Sequence, residues 1–219
     1  MIPAHYNMDF SKRVVVTPEN YVWFDSPSAT VTRMPLERED VESGHTTSIV
    51  RYAAAASFAE HAHPGGEEIF VLDGVFEDDA GRYPAGTYLR NPIGTTHAPR
   101  SGPGCTLFVK LAQHARDDRA QLVIDTQSAT FVPGYGGLRV LPLHTQGCVS
   151  SALVYWPAGE RFVPHTHVGG EEIFVLSGTF QDEYGTYPAG TWIRSPHLSR
   201  HHPWVDEDTL ILVKTGHLG

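Results

Sequence analysis

Apolar residues come along this chain in short β-branched and aromatic runs: Val14-Val15-Val16, Tyr21-Val22-Trp23-Phe24, then Ala29-Thr30-Val31-Thr32-Arg33-Met34. Pro, Ser, Asp and Asn separate them as turn punctuation. Residues 46–52 continue the pattern as a strand, and residues 53–56 are too few to insist on a helix. The run Ile69-Phe70-Val71-Leu72 is apolar at every position, so both faces of that strand should be covered, by the other half of the chain or by a second copy in a homodimer. Glu77, Asp78 and Asp79 with Gly81 mark a hairpin turn, and residues 85–90 and 105–112 supply two further strands. The charged piece Glu37-Arg38-Glu39-Asp40-Val41-Glu42 reads as a solvated loop.

A polar stretch, residues 113–121, interrupts the β pattern, which restarts with Leu122-Val123-Ile124 and Leu138-Arg139-Val140-Leu141. The restart is a repeat. His61-Ala62-His63-Pro64-Gly65-Gly66-Glu67-Glu68-Ile69-Phe70-Val71-Leu72 returns as His165-Thr166-His167-Val168-Gly169-Gly170-Glu171-Glu172-Ile173-Phe174-Val175-Leu176. From His61 to Pro99 the copies align without a gap, and about three positions in five are identical. Two domains follow, residues 1–113 and 121–219, each large enough to bury its own core. Many short strands at regular spacing with few credible helices indicate an all-β sandwich or barrel.

Composition narrows the partners. With 25 acidic against 16 basic residues the formal charge is -9, and no basic block draws nucleic acid or an anionic membrane. The N-terminal residues lack the apolar core of a signal peptide, and no apolar run approaches membrane-spanning length, so a soluble cytoplasmic protein is expected. Cys105 and Cys148, the only cysteines, fall in strand-like contexts and read as buried free thiols of a reducing compartment.

The chemistry lies in the repeat. Side chains two apart share a strand face, which sets His61 beside His63. Glu67 keeps the same parity and reaches the same point if the Gly-Gly step bends without slipping register. Two imidazoles and a carboxylate on one spot are either a hydrogen-bonded core cluster or part of a metal site, and spacing and duplication favour metal. Zinc, iron, manganese and nickel all accept these ligands. A further ligand should come from elsewhere in each half, and His97 follows Gly86, Pro92 and Gly94 as a candidate. Glu68 and Glu172 point to the opposite face and read as partners for arginine, with Arg90 and Arg194 in ion pairs. His197 and His202 read as exposed loop histidines or as a proton shuttle. Gly134-Tyr135-Gly136-Gly137 is a turn, and no Gly-x-Ser-x-Gly elbow supports a serine hydrolase.

At these residues the sequence resembles the cupin superfamily. His61, His63, Glu67 and Gly74 match its first motif, and Gly86, Pro92, Gly94 and His97 its second. Gly159, His165, His167, Glu171, Gly178, Gly190, Pro196 and His201 match in the second copy. Ala55 stands where the first motif opens with glycine, Ser101 where the second ends in asparagine, and Leu198 where the glycine before His201 is expected. The resemblance implies a bicupin, two jelly-roll β-barrels in tandem, each with a divalent ion held by three histidines and a glutamate. The Gly-Gly-Glu-Glu-Ile core, the Tyr-Pro-Ala-Gly-Thr turns at Tyr83 and Tyr187, and the Arg-x-Pro steps at Arg90 and Arg194 are more specifically similar to the cupin domain of ChrR-type zinc-binding anti-sigma factors. In those proteins a separate helical domain grips the sigma factor. This chain opens directly into strands, so a sigma factor is a partner the resemblance suggests without carrying over.

Three neutral imidazoles and one carboxylate around a divalent ion leave a net charge of about +1, suited to anionic or enolisable small ligands at any open position. The leading expectation is a metal-binding sensor or small-ligand-binding protein. The alternative is a non-haem iron dioxygenase that cleaves a diketone or hydroxyketone.

Overall fold

The structure is a computed structural model that describes residues 4–219. Met1, Ile2 and Pro3, where the first expected domain begins, lie outside the described residues. The chain forms two compact units, residues 4–8 with 22–128 and residues 9–21 with 129–219. Both are β structures. Among the described residues the one helical turn is the 3-10 segment Pro18–Asn20.

In the first unit the main antiparallel sheet runs through Leu122–Asp125, Thr87–Asn91, Glu67–Glu77, Cys105–Leu111, Thr46–Tyr52, Val31–Arg38 and Phe24–Asp25. In the second it runs through Val14–Val16, Trp192–Ser195, Glu171–Ser177, Thr209–Thr215, Val149–Trp156, Arg139–Gln146 and Val132–Pro133. The two orders correspond strand for strand, with sequence-distant strands side by side as a jelly roll requires. Short ladders complete each barrel: His61–Ala62 with Thr96–His97, and His165–His167 with Ser199–His201. A proline cannot donate to a ladder. Both copies meet this with a register shift at the same place, between Pro35 and Glu37 and between Pro142 and His144.

Alternation along these strands builds one core per barrel. Ile69, Val71, Phe76, Leu89 and Leu107 are buried together in the first, and Ile173, Val175, Phe180, Ile193 and Ile211 in the second. Burying each such side chain contributes about 1.5–3 kcal/mol. The opposite face of the same strand is also closed, since Phe70 and Phe174 are buried. The thiol of Cys105 is buried as expected, and burial pushes it up to about 11.

The structure departs from the sequence reading at four places. Leu122–Asp125 does not restart the cycle; it pairs with Thr87–Asn91 of the first unit. Val14–Val16, near the other end of the chain, pairs with Trp192–Ser195 of the second. Each is a short apolar run that fits any open sheet edge, and local sequence does not say which. The charged piece is not all solvated: Glu37 and Arg38 end the strand Val31–Arg38, and Glu37 is fully buried. Glu37 accepts the Thr47 hydroxyl at 2.7 Å and lies 2.7 Å from His45 Nε2, and these partners with the nearby Lys110 hold its carboxyl below the usual range despite burial. Cys148 is exposed, because it sits in the tight turn between Arg139–Gln146 and Val149–Trp156.

Candidate metal centres

Each site is assembled by three pieces of β structure. His61 and His97 face each other across their ladder, as do His165 and His201. A turn then brings the glutamate back. Gly66 donates its N–H to the His63 carbonyl with φ near +79°, and Gly170 donates likewise to His167 with φ near +73°. A side chain at Gly65 would collide with Ala112, its Cβ lying 2.4 Å from the Ala112 Cα. The Gly-Gly step is therefore required by close packing as well as by backbone conformation. It delivers Glu67 and Glu171 as the first residues of the central strands Glu67–Glu77 and Glu171–Ser177, where both are buried.

The structure brings all eight sequence-selected residues into two clusters, His61, His63, Glu67 and His97 in one and His165, His167, Glu171 and His201 in the other. Within each, one nitrogen or oxygen per residue lies within 4.8 Å of the others. His63 Nε2 and His97 Nε2 are 3.4 and 3.6 Å from Glu67 Oε2. In the second cluster His167 Nε2 and His201 Nε2 are 3.4 and 3.5 Å from Glu171 Oε2 and 3.0 Å from each other. Ligand bonds of about 2.0–2.2 Å to one ion set neighbouring donors roughly 3–3.5 Å apart, which is this spacing.

The outer nitrogens explain why the inner ones converge. His61 and His165 donate from Nδ1 to the carbonyls of Ala59 and Val163, at 3.0 and 2.9 Å. Thr95 donates its hydroxyl to the Pro92 carbonyl and so receives the Nδ1 hydrogen of His63 at 3.0 Å. Nδ1 of His97 and His201 faces Asp78 and Asp182, each at 3.4 Å. With Nδ1 protonated, Nε2 keeps its lone pair toward the cluster. His63 Nε2 and His97 Nε2 are buried and have no hydrogen-bond partner, a cost that a bound cation would remove.

Burial, with the neighbouring histidines, pushes His63 and His167 down to about 3. The same burial raises Glu67 and Glu171 to about 7. Neutral imidazoles are what a metal needs, and an unpaired buried carboxylate is what it neutralises. The donor set therefore fits one divalent ion per barrel.

Sequence alone does not single out the outer partners Asp78 and Asp182; it places Asp78 in a hairpin turn. Their signal was their identity at matching positions of the two copies. Asn91, whose amide donates to Glu67 Oε2 at 3.0 Å, belongs to the first copy alone; Ser195 replaces it. Glu68 does face away from the site, accepting from Tyr88 at 2.9 Å and from Arg90 at 3.4 Å. Arg194 donates to the Asp9 carbonyl at 3.0 Å and stacks over Phe10. His197 and His202 are exposed, and His197 Nδ1 accepts the Gly169 N–H at 2.9 Å.

The sequence model of the ChrR cupin-like domain matches residues 11–115 and again residues 119–219. The chain belongs to the ChrR cupin-like family. A comparison with curated proteins gives no match. Among solved structures, a candidate dioxygenase of Nostoc punctiforme superposes with a TM-score of 0.78 at 13% identity, over 95% of this chain and 84% of its own. The pirin YhhW of Escherichia coli, solved with nickel(II), gives 0.68 at 13% identity over 93% of this chain and 98% of its own. Oxalate decarboxylase of Lactobacillus farciminis, solved with formate, gives 0.68 at 12% over 94% and 86%. At these identities the likeness establishes for the ChrR cupin-like chain its bicupin fold alone. No helix among the described residues is long and apolar enough to cross a membrane.

Proposed function

We propose that this protein binds one divalent metal ion in each barrel through three histidines and one glutamate, and uses the open side of each ion to bind a small ligand. One observation carries this reading: in each barrel the cluster forms part of the wall of a cavity open to solvent. His61, Glu67 and His97 line a cavity of about 110 Å³, and His165, Glu171 and His201 line one of about 270 Å³. A purely structural site has its coordination closed by protein, whereas an open position serves binding or catalysis. Once bound, the ion would supply Lewis acidity and a coordination position for a ligand oxygen. The chain's own residues do the rest. Thr95 and Asp78 fix the imidazoles, Glu67 balances charge, and Phe58 and Phe76 wall the cavity.

A second reading, the non-haem iron dioxygenase acting on a diketone or hydroxyketone, is favoured by the apolar, aromatic lining of the second cavity, which includes Trp156, Phe162 and Phe180. Metal analysis after expression in iron-supplemented medium, followed by oxygen uptake with diketones, separates the two. Zinc or another ion at about two per chain with no uptake supports ligand binding or sensing. Iron with substrate-dependent uptake supports the dioxygenase. Protein that takes up no metal overturns both. A sigma factor or a second copy of the chain as partner is tested by co-purification and by mass in solution.

A further inference from the structure

The two cavities are built from equivalent positions. Phe58, Phe76 and Val109 of the first answer to Phe162, Phe180 and Val213 of the second. The strand register fixes one equivalence that breaks the likeness. Arg33 lies opposite Val50, and Val140 lies opposite Val154, the same rung in each barrel counted from the shared proline bulge. So where the second cavity presents a valine methyl, the first presents a guanidinium.

The mouth of the first cavity differs as well. Residues 39–45 form a loop between Val31–Arg38 and Thr46–Tyr52, where the second unit has only the turn at Gly147 and Cys148. Arg38, also lining the first cavity, donates from Nε to the Asp40 carbonyl at 2.6 Å and from its terminal nitrogen to the Val41 carbonyl. Arg33 donates to Glu42 at 2.9 Å, the arginine side chain 17% exposed and the glutamate side chain 53%. Two guanidiniums thus line this cavity with two carboxylates, of which Glu67 belongs to the histidine cluster and the half-solvated Glu42 pairs with Arg33. An arginine retains fork geometry for a carboxylate, and a buried one is poorly screened.

We infer that the first site selects a small organic anion whose carboxylate pairs with Arg33, displacing or joining Glu42, while the second site takes an uncharged ligand. The inference names the ligand class of the sites proposed above and rests on that reading. At about 110 Å³ the first cavity suits an anion of a few carbons, as in a short dicarboxylate. Arg33 is a binding residue for the ligand end away from the histidines. Glu42 holds the guanidinium in place until an anion arrives.

The test is calorimetric titration of the full chain with malonate and with monomethyl malonate, zinc-loaded and after chelator treatment. One malonate per chain is expected, with monomethyl malonate clearly weaker. Arg33→Val should weaken malonate about tenfold or more, and Arg33→Lys should recover part of the loss. Glu42→Gln, which leaves the core untouched, should tighten malonate several-fold and guards against a misfolded Arg33 variant. Malonate affinity unchanged in both Arg33→Val and Glu42→Gln, equal affinity for the half-ester, or no malonate binding overturns the inference. Failure of zinc uptake with Arg33-dependent malonate binding intact strikes the metal reading and supports this one. Zinc uptake with Arg33-independent binding does the reverse.

Discussion

At the residue scale, two positions show how the copies tolerate departures from the motif. Leu198 stands where the first copy has Gly94, and it adopts the same left-handed backbone, φ near +62° against +89°. It can do so because a Cβ at Gly94 would meet nothing within 4 Å, and Leu198 itself is exposed. Ala55, with φ near +59°, likewise takes the conformation of Gly159 at +81°. The approach of His201 is therefore kept at a conformational cost of about 1–2 kcal/mol, which the flexibility of glycine would offset only in part. Leu198→Gly should accordingly stabilise the second unit by roughly 0.5–1 kcal/mol in urea unfolding, with His201 still in place. A second prediction concerns protons. Without metal, Glu67 and Glu171 titrate near 7 because burial disfavours their charge, whereas a ligating carboxylate has no proton. His63 and His167, pushed down to about 3, are already neutral across this range. Metal uptake should then expel about one proton per glutamate at pH 6 and almost none at pH 8. Apparent affinity should climb with pH up to about 7 and level off above it. Calorimetry in buffers of different ionisation enthalpy counts these protons, and equal release at both pH values would contradict the raised carboxyls.

At the scale of elements, the strand Val14–Val16 carries more than an edge into the second unit. Arg13, just before it, donates to Asp182 at 2.7 Å and to the Tyr187 hydroxyl at 2.9 Å, and lies over the Tyr184 ring. Asp182 in turn faces His201. Asp182 also accepts from the Tyr184 N–H and the Tyr187 hydroxyl, as Asp78 in the first unit accepts from Ala80, Gly81 and Tyr83, so Arg13 is an addition of the second unit. Arg13→Ala should loosen Asp182 and weaken metal at the second site by about tenfold while leaving the first unchanged. Competition with a chromogenic chelator measures both sites, and equal weakening of the two would refute this route. Such contacts mark the limit of what the sequence reveals. The His-x-His pairs, the Gly-Gly bends and the duplicated core strands were legible because parity and repetition are properties of contiguous residues. The central strands needed only their alternation, and residues 46–52 form a strand with the expected bounds. Arg13 against Asp182 was not legible, since it joins residues far apart in sequence and depends on which edge accepts a three-residue strand. Burial of Glu37 was hidden for a related reason. A charged run reads as solvated until Thr47 and His45, from the next strand and loop, arrive to satisfy it.

For the molecule as a whole, duplication raises the question of whether two sites act as one. All four residues of each cluster come from one unit, residues 61–97 for the first and 165–201 for the second. The outer partners of the imidazoles, Thr95 and Asp78 in one and Asp182 in the other, also belong to the same unit as their histidine. Removing one imidazole should therefore empty one site and spare the other. His63→Ala takes away a ligand whose Nδ1 is fixed by Thr95 and leaves Glu67 with two histidines, too few to retain an ion against a chelator. Metal content should fall from about two to about one per chain, read by native mass spectrometry, and His167→Ala should give the complementary loss. Stability follows by linkage: saturating metal at about a hundred times its dissociation constant adds about 2.7 kcal/mol to the unit that binds it. In His63→Ala that gain should vanish from the first unit's unfolding transition and persist in the second. Loss of both ions from either single variant would contradict independent sites.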